Sequence, residues 1–494
     1  MDLASEAPFL LTVSLHVFIE PFTPPVPLML CIVAGAIAVI GSFVLITFVP
    51  RDIVSHPRYP HVNLLQWNWM RLVHRIHGIF WIQLSSVFIF VVVVIAGFWG
   101  NADPVYNLAP TFVWVIFWVG ITYVSAFVGD IWSILNPWKI IFGWVTNIGV
   151  ILNVRPFHSP FFVYPPKLGA MPGLLLFLVF AWIENVHSQS VVPLRISQYV
   201  AAYSVVTWVG MFMYGKDTWL RHGEMFSLAF GFLAKFGVIQ VQRERKSPTT
   251  NDVGVYNMNA PNEEQDEKNP PVVSAINCQP WATRLLVVEK VSIWQMFFVL
   301  SLLATVTFDG FTGTIPWMNI QNYLRGVVDS PGLIGTLGLM SSIMLFCGIY
   351  LGFAAMISLN SGGNLGFVQS ATTFVYTLIP IALAYHLAHF LLFLLIQGQL
   401  MVPLISDPLG LGWDLFGTSN HRINFMLVSD NLFWFTSVIA IVVGHIIAIF
   451  LSHSIALRVI ASHNYAFRSQ VPMIILMVAY TIASLWILTQ PMYS

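Results

Sequence analysis

His386 and His389 stand three residues apart in IALAYHLAHFLLFLLIQGQ, inside a long apolar run, and His445 and His453 stand eight apart in the next, VVGHIIAIFLSHSIAL. An isolated polar group in hydrocarbon costs on the order of several kcal/mol, so each imidazole needs a partner. On a helix, residues i and i+3 share a face, and so roughly do i and i+8. At a rise of ~1.5 Å per residue, His386 and His445 both lie roughly 15–20 Å below the same surface. His386, His389 and His445 are therefore expected to converge, with His453 about two turns deeper. Three or four converging imidazoles suit a transition metal (zinc, copper or iron) or a haem held by a His pair. The alternative is that each bonds a carbonyl or hydroxyl across helices, as polar glue.

Other polar residues carry less. Asp309, in TVTFDGFTG, closes an apolar run. It either caps a turn that Gly310 permits or supplies a catalytic carboxylate at the mouth of a site. Glu184, in FAWIENVH, sits near the end of a run and reads as structural. His74 and His77, in RLVHRIHG, read as interfacial. Asp407 and Asp414 belong to a Gly/Pro/aromatic loop, SDPLGLGWDLFGT, of a kind that covers a pocket or simply packs. No carboxylate is expected close enough to pair His386 or His389 as imidazolium. Cys31, Cys278 and Cys347 have no paired spacing and read as packing residues, not thiolate ligands. HExxH, CxxC, a nucleophile elbow and a phosphate-cradling glycine loop are all absent from the sequence.

The elements that must position the histidines follow from composition. The 494 residues are 57% hydrophobic and 9% charged, against about a quarter charged in soluble domains. The expected fold class is all-α, a polytopic transmembrane helix bundle whose first partner is the lipid bilayer. The net charge of zero argues against nucleic acid. Twelve runs suit crossings: 28–49, 79–99, 111–129, 131–153, 171–187, 197–214, 224–241, 289–307, 333–357, 371–396, 432–457 and 471–489. The weakest are 131–153, which contains Asn136, Pro137 and Lys139, the short 171–187, and 224–241, where Lys235 suits an interface. The polar stretch 242–288 reads as a flexible cytoplasmic linker between an amino-terminal block, 1–241, and a carboxyl-terminal block, 289–494, that carries the histidines. Arg51, Arg58, Arg71 and Arg75 follow the first run, Arg243, Arg245 and Lys246 open the linker, and Arg458 and Arg468 flank a later loop. By the positive-inside rule these are cytoplasmic, which places both termini on the other side. That scheme needs 131–153 to cross; if it is re-entrant, a second crossing must also be lost. It also leaves Lys216 and Arg221 outside, against the rule. The amino-terminal residues lack the basic start of a secretory signal.

FDGF (308–311), PIALAYHLAHF (380–390), SDPLGLGWDLFGT (406–418), GHIIAIFLSHSIAL (444–457) and RSQVPMIILMVAYTIASLWILTQP (468–491) resemble a family of bacterial multi-span proteins commonly labelled fenitrothion hydrolase. LNPWKI (135–140), VYPP (163–166) and AWIE (181–184) extend the likeness over most of the chain. The resemblance implies a multi-pass protein of the bacterial inner (plasma) membrane. It further implies hydrolysis of an aryl phosphorothioate triester, an apolar small molecule, within a complex holding another membrane subunit. The chain departs from the family in its long polar linker and acidic start. The metal-ligand expectation rests on spacing and depth, not on the resemblance.

Three readings therefore compete. The first is a membrane-embedded, metal-dependent hydrolase acting on an apolar triester that enters from the bilayer. The second is a haem- or copper-binding redox subunit of a membrane complex. The third is a transporter with polar residues near the midplane.

Overall fold

Runs of apolar residues without interior charge form long helices because a backbone in hydrocarbon must satisfy its own hydrogen bonds. The computed structural model describes residues 25–48, 59–68, 77–151, 160–244 and 272–490. Arg51, Arg58, Arg71, His74 and Arg75, the first 24 residues and the linker segment 245–271 lie outside the described residues. Among those described, nine helices are long and apolar enough to cross a membrane. They are α1 (Leu28–Thr47), α2 (Gly78–Trp99), α3 (Leu108–Phe127), α7 (Pro193–Tyr214), α10 (Ile293–Thr312), α12 (Pro331–Asn360), α13 (Phe367–Ser406), α14 (Asp430–Val459) and α15 (His463–Leu488). The remaining helices are α4 (Trp132–Leu135), α5 (Pro137–Ile151), α6 (Met171–Asn185), α8 (Lys216–His222), α9 (Met225–Ala234) and α11 (Ile315–Arg325).

The three weakest runs differ from the other nine. The run 131–153 breaks at Asn136–Pro137 into α4 and α5, because proline cannot continue a helix from the residue before it. The run 224–241 is the 10-residue helix α9 followed by a strand. At ~1.5 Å per residue α9 covers about 15 Å, half the hydrocarbon thickness. The run 171–187 is the 15-residue helix α6.

Two ends of the bundle are defined by contacts. At one, Asn101 N–H donates to Leu409 O at 2.7 Å and Leu108 N–H to Pro408 O at 3.2 Å, joining the α2–α3 and α13–α14 loops. At the other, β1 (Val62–Asn63), β2 (Ile239–Glu244) and β3 (Val272–Cys278) form an antiparallel sheet in the order β1-β3-β2. Both margins of the expected linker are thus ordered strand. Ile239 N–H reaches Val128 O at 2.7 Å, and the Arg458 guanidinium donates to Leu286 O, so α3, α14 and the sheet meet there.

α7 starts beside the last turns of α2, where Ser197 donates to Val94 O at 3.1 Å, and runs back to the sheet end. The chain from Val128 at the sheet end rises through α4 to Trp138, whose ring packs on Phe90 halfway along α2. It is back beside the end of α7 by Phe162, whose N–H donates to Met213 O at 2.9 Å. α8 and α9 do the same. Gly215, at φ 86°, reverses the chain, and Trp219 then packs on Gly210, where a Cβ would sit 2.2 Å from the indole. Glu224 reaches Tyr203 in mid-α7, and Phe236 ends against Phe127 at the sheet end. Each broken segment enters and leaves by one end.

Candidate functional site

α10 begins at a capping box formed by Ser292 and Gln295, which fixes its start at the sheet end. Seventeen residues on, Asp309 points into the bundle and its Oδ2 lies 2.8 Å from His389 Nε2, with both side chains buried. The turn after it is closed by other residues: Thr314 accepts the Trp317 N–H and donates to Phe311 O. Asp309 is therefore not the cap of that turn. It is the carboxylate that the sequence reading did not place near His389. Gly310 allows the approach, since a Cβ there would lie 2.7 Å from the Tyr385 hydroxyl on α13.

Beside the pair is a cavity of about 30 Å³, whose polar lining is Trp118, Thr122, Glu184, Thr305, Asp309 and His386. That is room for one or two waters. Trp118 comes from Thr111–Gly120, a stretch of α3 wound as π-helix, a form frequent at functional sites. Its indole lines the cavity together with Glu184. Glu184 Oε1, Thr305 Oγ1 and both ring nitrogens of His386 are buried without a hydrogen-bond partner. The His386 ring is held by Phe390, Tyr123 and Trp118, with centroids 4.7, 5.3 and 6.4 Å away. Glu184 interacts electrostatically with Asp309, and His386 with both His389 and Asp309. No lysine or arginine lines the cavity.

The other sequence-predicted ligands behave differently. His445 turns Nδ1 to Ile441 O of its own helix at 2.7 Å, leaving Nε2 buried and unpartnered. His453 packs edge-on against Phe43 of α1. Among the described residues no group of three or more His, Cys, Asp or Glu is arranged to hold a metal ion. His386, His389, His445 and His453 are thus not brought together as the expected transition-metal donor set. Nor do they fit a haem, since the space beside His386 is far smaller than a porphyrin.

The loop between α13 and α14 is held by its own hydrogen bonds, with Leu411, Trp413, Leu415 and Phe416 exposed. Asp407 accepts the N–H groups of Leu411, Gly412 and Trp413 at 3.0, 2.6 and 3.1 Å, and Asp414 accepts the Ser419 hydroxyl at 2.8 Å. Hydrogen bonds from Ser419 hold the exposed Asp414 carboxyl below its ordinary range. Neither residue lines the cavity.

A second polar centre was also unforeseen. Glu224, fully buried, accepts the Phe226 and Ser227 N–H groups at the start of α9, Asn136 Nδ2 at 3.0 Å, Trp132 Nε1 at 3.4 Å and the Tyr203 hydroxyl. Every acceptor position of this carboxylate is used, so the centre holds the two broken segments together and is closed to a ligand.

Comparison with family models, with curated proteins and with solved structures finds no match to this chain.

Proposed function

We propose that the protein is a proton-transporting membrane protein, and that Glu184, Asp309, His389 and His386 are its proton-handling site. The observation that carries this is the convergence of Glu184, Asp309 and His386, from α6, α10 and α13, on one water-sized cavity, with His389 paired to Asp309 and some of the lining polar atoms unpartnered. Ionisable residues inside a bundle are costly, and chains of Asp, Glu and His are how pumps and transporters pass protons. Asp309 and His389 neutralise each other when ionised. Glu184 is the carboxylate left over, so its charge is set by a proton.

The finer topology belongs to the same proposal. The nine long helices and α6 make ten crossings, with α4–α5 and α8–α9 re-entrant from the sheet end. Lys216, Arg221, Arg284, Lys290 and Arg458 then gather at that end, which the positive-inside rule makes cytoplasmic. Lys216 and Arg221 no longer contradict the rule. Gly35 of α1 packs on Leu485 of α15 toward the opposite end, which supports both termini being non-cytoplasmic. The membrane so assigned is the inner membrane of a bacterium, on the strength of the sequence resemblance.

A second reading, the hydrolase of that resemblance, is favoured by one observation. An Asp–His pair beside a water-sized cavity is also the arrangement of a general base. The cavity admits water but not an aryl triester, so this reading requires the site to open.

Liposomes carrying the protein and an internal pH dye, driven by a potassium diffusion potential, test the first reading. Acidification should be faster than in protein-free liposomes and fall to their rate in Glu184→Gln. A parent rate equal to that of empty liposomes overturns it.

A further inference from the structure

Resting on that reading, we infer that the cavity between Glu184 and Asp309 is also a binding site for a small monovalent cation of sodium size, which competes with the proton. Charge selects the valence. Two carboxylates, Glu184 and Asp309, line the cavity, Asp309 is paired with His389, and neither lysine nor arginine lines the cavity. Glu184, when ionised, is thus the uncompensated charge in a site walled by Phe177, Leu233, Leu302 and Phe390. A proton or a monovalent cation cancels it, whereas a divalent ion leaves an excess positive charge in hydrocarbon.

The donor atoms select the kind of cation. The unpartnered oxygens are Glu184 Oε1 and Thr305 Oγ1, both buried and both from cavity-lining residues. Asp309 and Thr122 add oxygens to the same lining, and the cavity has room for one or two waters. Such an all-oxygen set suits a hard cation and not zinc or copper, consistent with the lack of a His/Cys/Asp/Glu metal group among the described residues. A carboxylate in the donor set, with its high field strength, favours the smaller sodium ion over potassium. The unpartnered His386 nitrogens are placed to hydrogen-bond the water that would complete the shell. Coupling-ion sites of secondary transporters likewise use oxygen donors inside the bundle.

The test is thermal unfolding of the purified protein in detergent with sodium, potassium or choline chloride at equal ionic strength, across a pH series. A ligand that binds only the folded protein raises Tm with its concentration. Sodium should raise Tm more than potassium and choline. The sodium concentration for half the effect should increase about tenfold per pH unit on the acid side, as one proton competes. Glu184→Gln should abolish the sodium effect and Thr305→Val should weaken it, with both variants retaining the parent's cooperative unfolding in choline. Thr305→Val removes one oxygen without touching charge, so it reports on the site even where Glu184→Gln fails to fold. Equal Tm in the three salts overturns the cation site, as does a sodium effect that Thr305→Val leaves intact. A pH-dependent infrared carboxyl band that Glu184→Gln removes separates the two failures. With the band present and sodium without effect, the proton site stands and the cation site falls; with neither, both fall.

Discussion

Asn136 Nδ2 donates to Glu224 Oε2 at 3.0 Å, and each residue also caps the helix that follows it. Two short helices, α5 and α9, therefore start beside one buried point: Asn136 accepts the Lys139 amide of α5, and Glu224 accepts the Phe226 and Ser227 amides of α9. Glu224→Ala leaves buried N–H groups and the Tyr203 hydroxyl without their acceptor, and should cost about 3–5 kcal/mol. Glu224→Gln, which keeps one acceptor oxygen, should cost less. Denaturant titration of both variants in mixed micelles checks the order.

Re-entry of these two segments makes a topological prediction. Single cysteines at 161, 216 and 221 should react with an impermeant thiol reagent from the cytoplasmic side only, and cysteines at 103 and 411 from the outside only. A cysteine at 216 modified in intact cells would restore the twelve-crossing arrangement.

Asp309 and His389 should be coupled. Either Asp309→Asn or His389→Gln leaves the other member of a buried pair uncompensated, at a cost of about 3–5 kcal/mol each. The double variant should cost clearly less than the two together, because the second change removes the stranded partner. Additive losses in a denaturant-unfolding cycle would show that the pair is a contact without energetic coupling.

Gly444 sets how closely α13 and α14 approach. A Cβ there would lie 2.5 Å from Ala384 Cβ and 2.8 Å from Pro380 O, and the latter is backbone that cannot move aside cheaply. Gly444→Ala should destabilise by about 1–3 kcal/mol, while Gly348→Ala, with open space around it, should leave Tm unchanged.

The loop at Asp414 titrates with a definite sign. Its folded carboxyl lies below the ordinary value because Ser419 hydrogen-bonds it. Any local stability it adds is complete above the ordinary carboxylate range and is lost as pH falls through the lowered value. Ser419→Ala should move that loss to higher pH, read by amide exchange across 414–419 after correction for intrinsic exchange rates.

Much of this architecture was legible in the sequence. Nine apolar runs became long helices, because length and the lack of interior charge decide that outcome. The Asn136–Pro137 step already marked a break, and Lys216 and Arg221 already sat on the wrong side of a twelve-crossing scheme. The His389 partner was harder to see. Asp309 is 80 residues away, on a helix that is not the chain neighbour of α13, and depth matching was applied to histidines alone. Depth does not find it either: Asp309 lies just past the end of the run 289–307, whereas His389 lies about 10 Å inside the end of 371–396. Glu184 reads as structural because it sits near the end of its run; the packing of Val186, at the end of α6, on Gly335 of α12 shows that end to be inside the protein. Glu224 looked like the polar start of a crossing, and nothing local distinguishes that from the buried cap of a half-helix.

The central claim is that Glu184 exchanges a proton inside the bundle, and a pH-difference infrared spectrum of the protein in lipid tests it most directly. A protonated-carboxyl band should appear on acidification, shift in deuterium oxide, vanish in Glu184→Gln and persist in Glu224→Gln. A spectrum without such a band, or with the same band in Glu184→Gln as in the parent, contradicts the account.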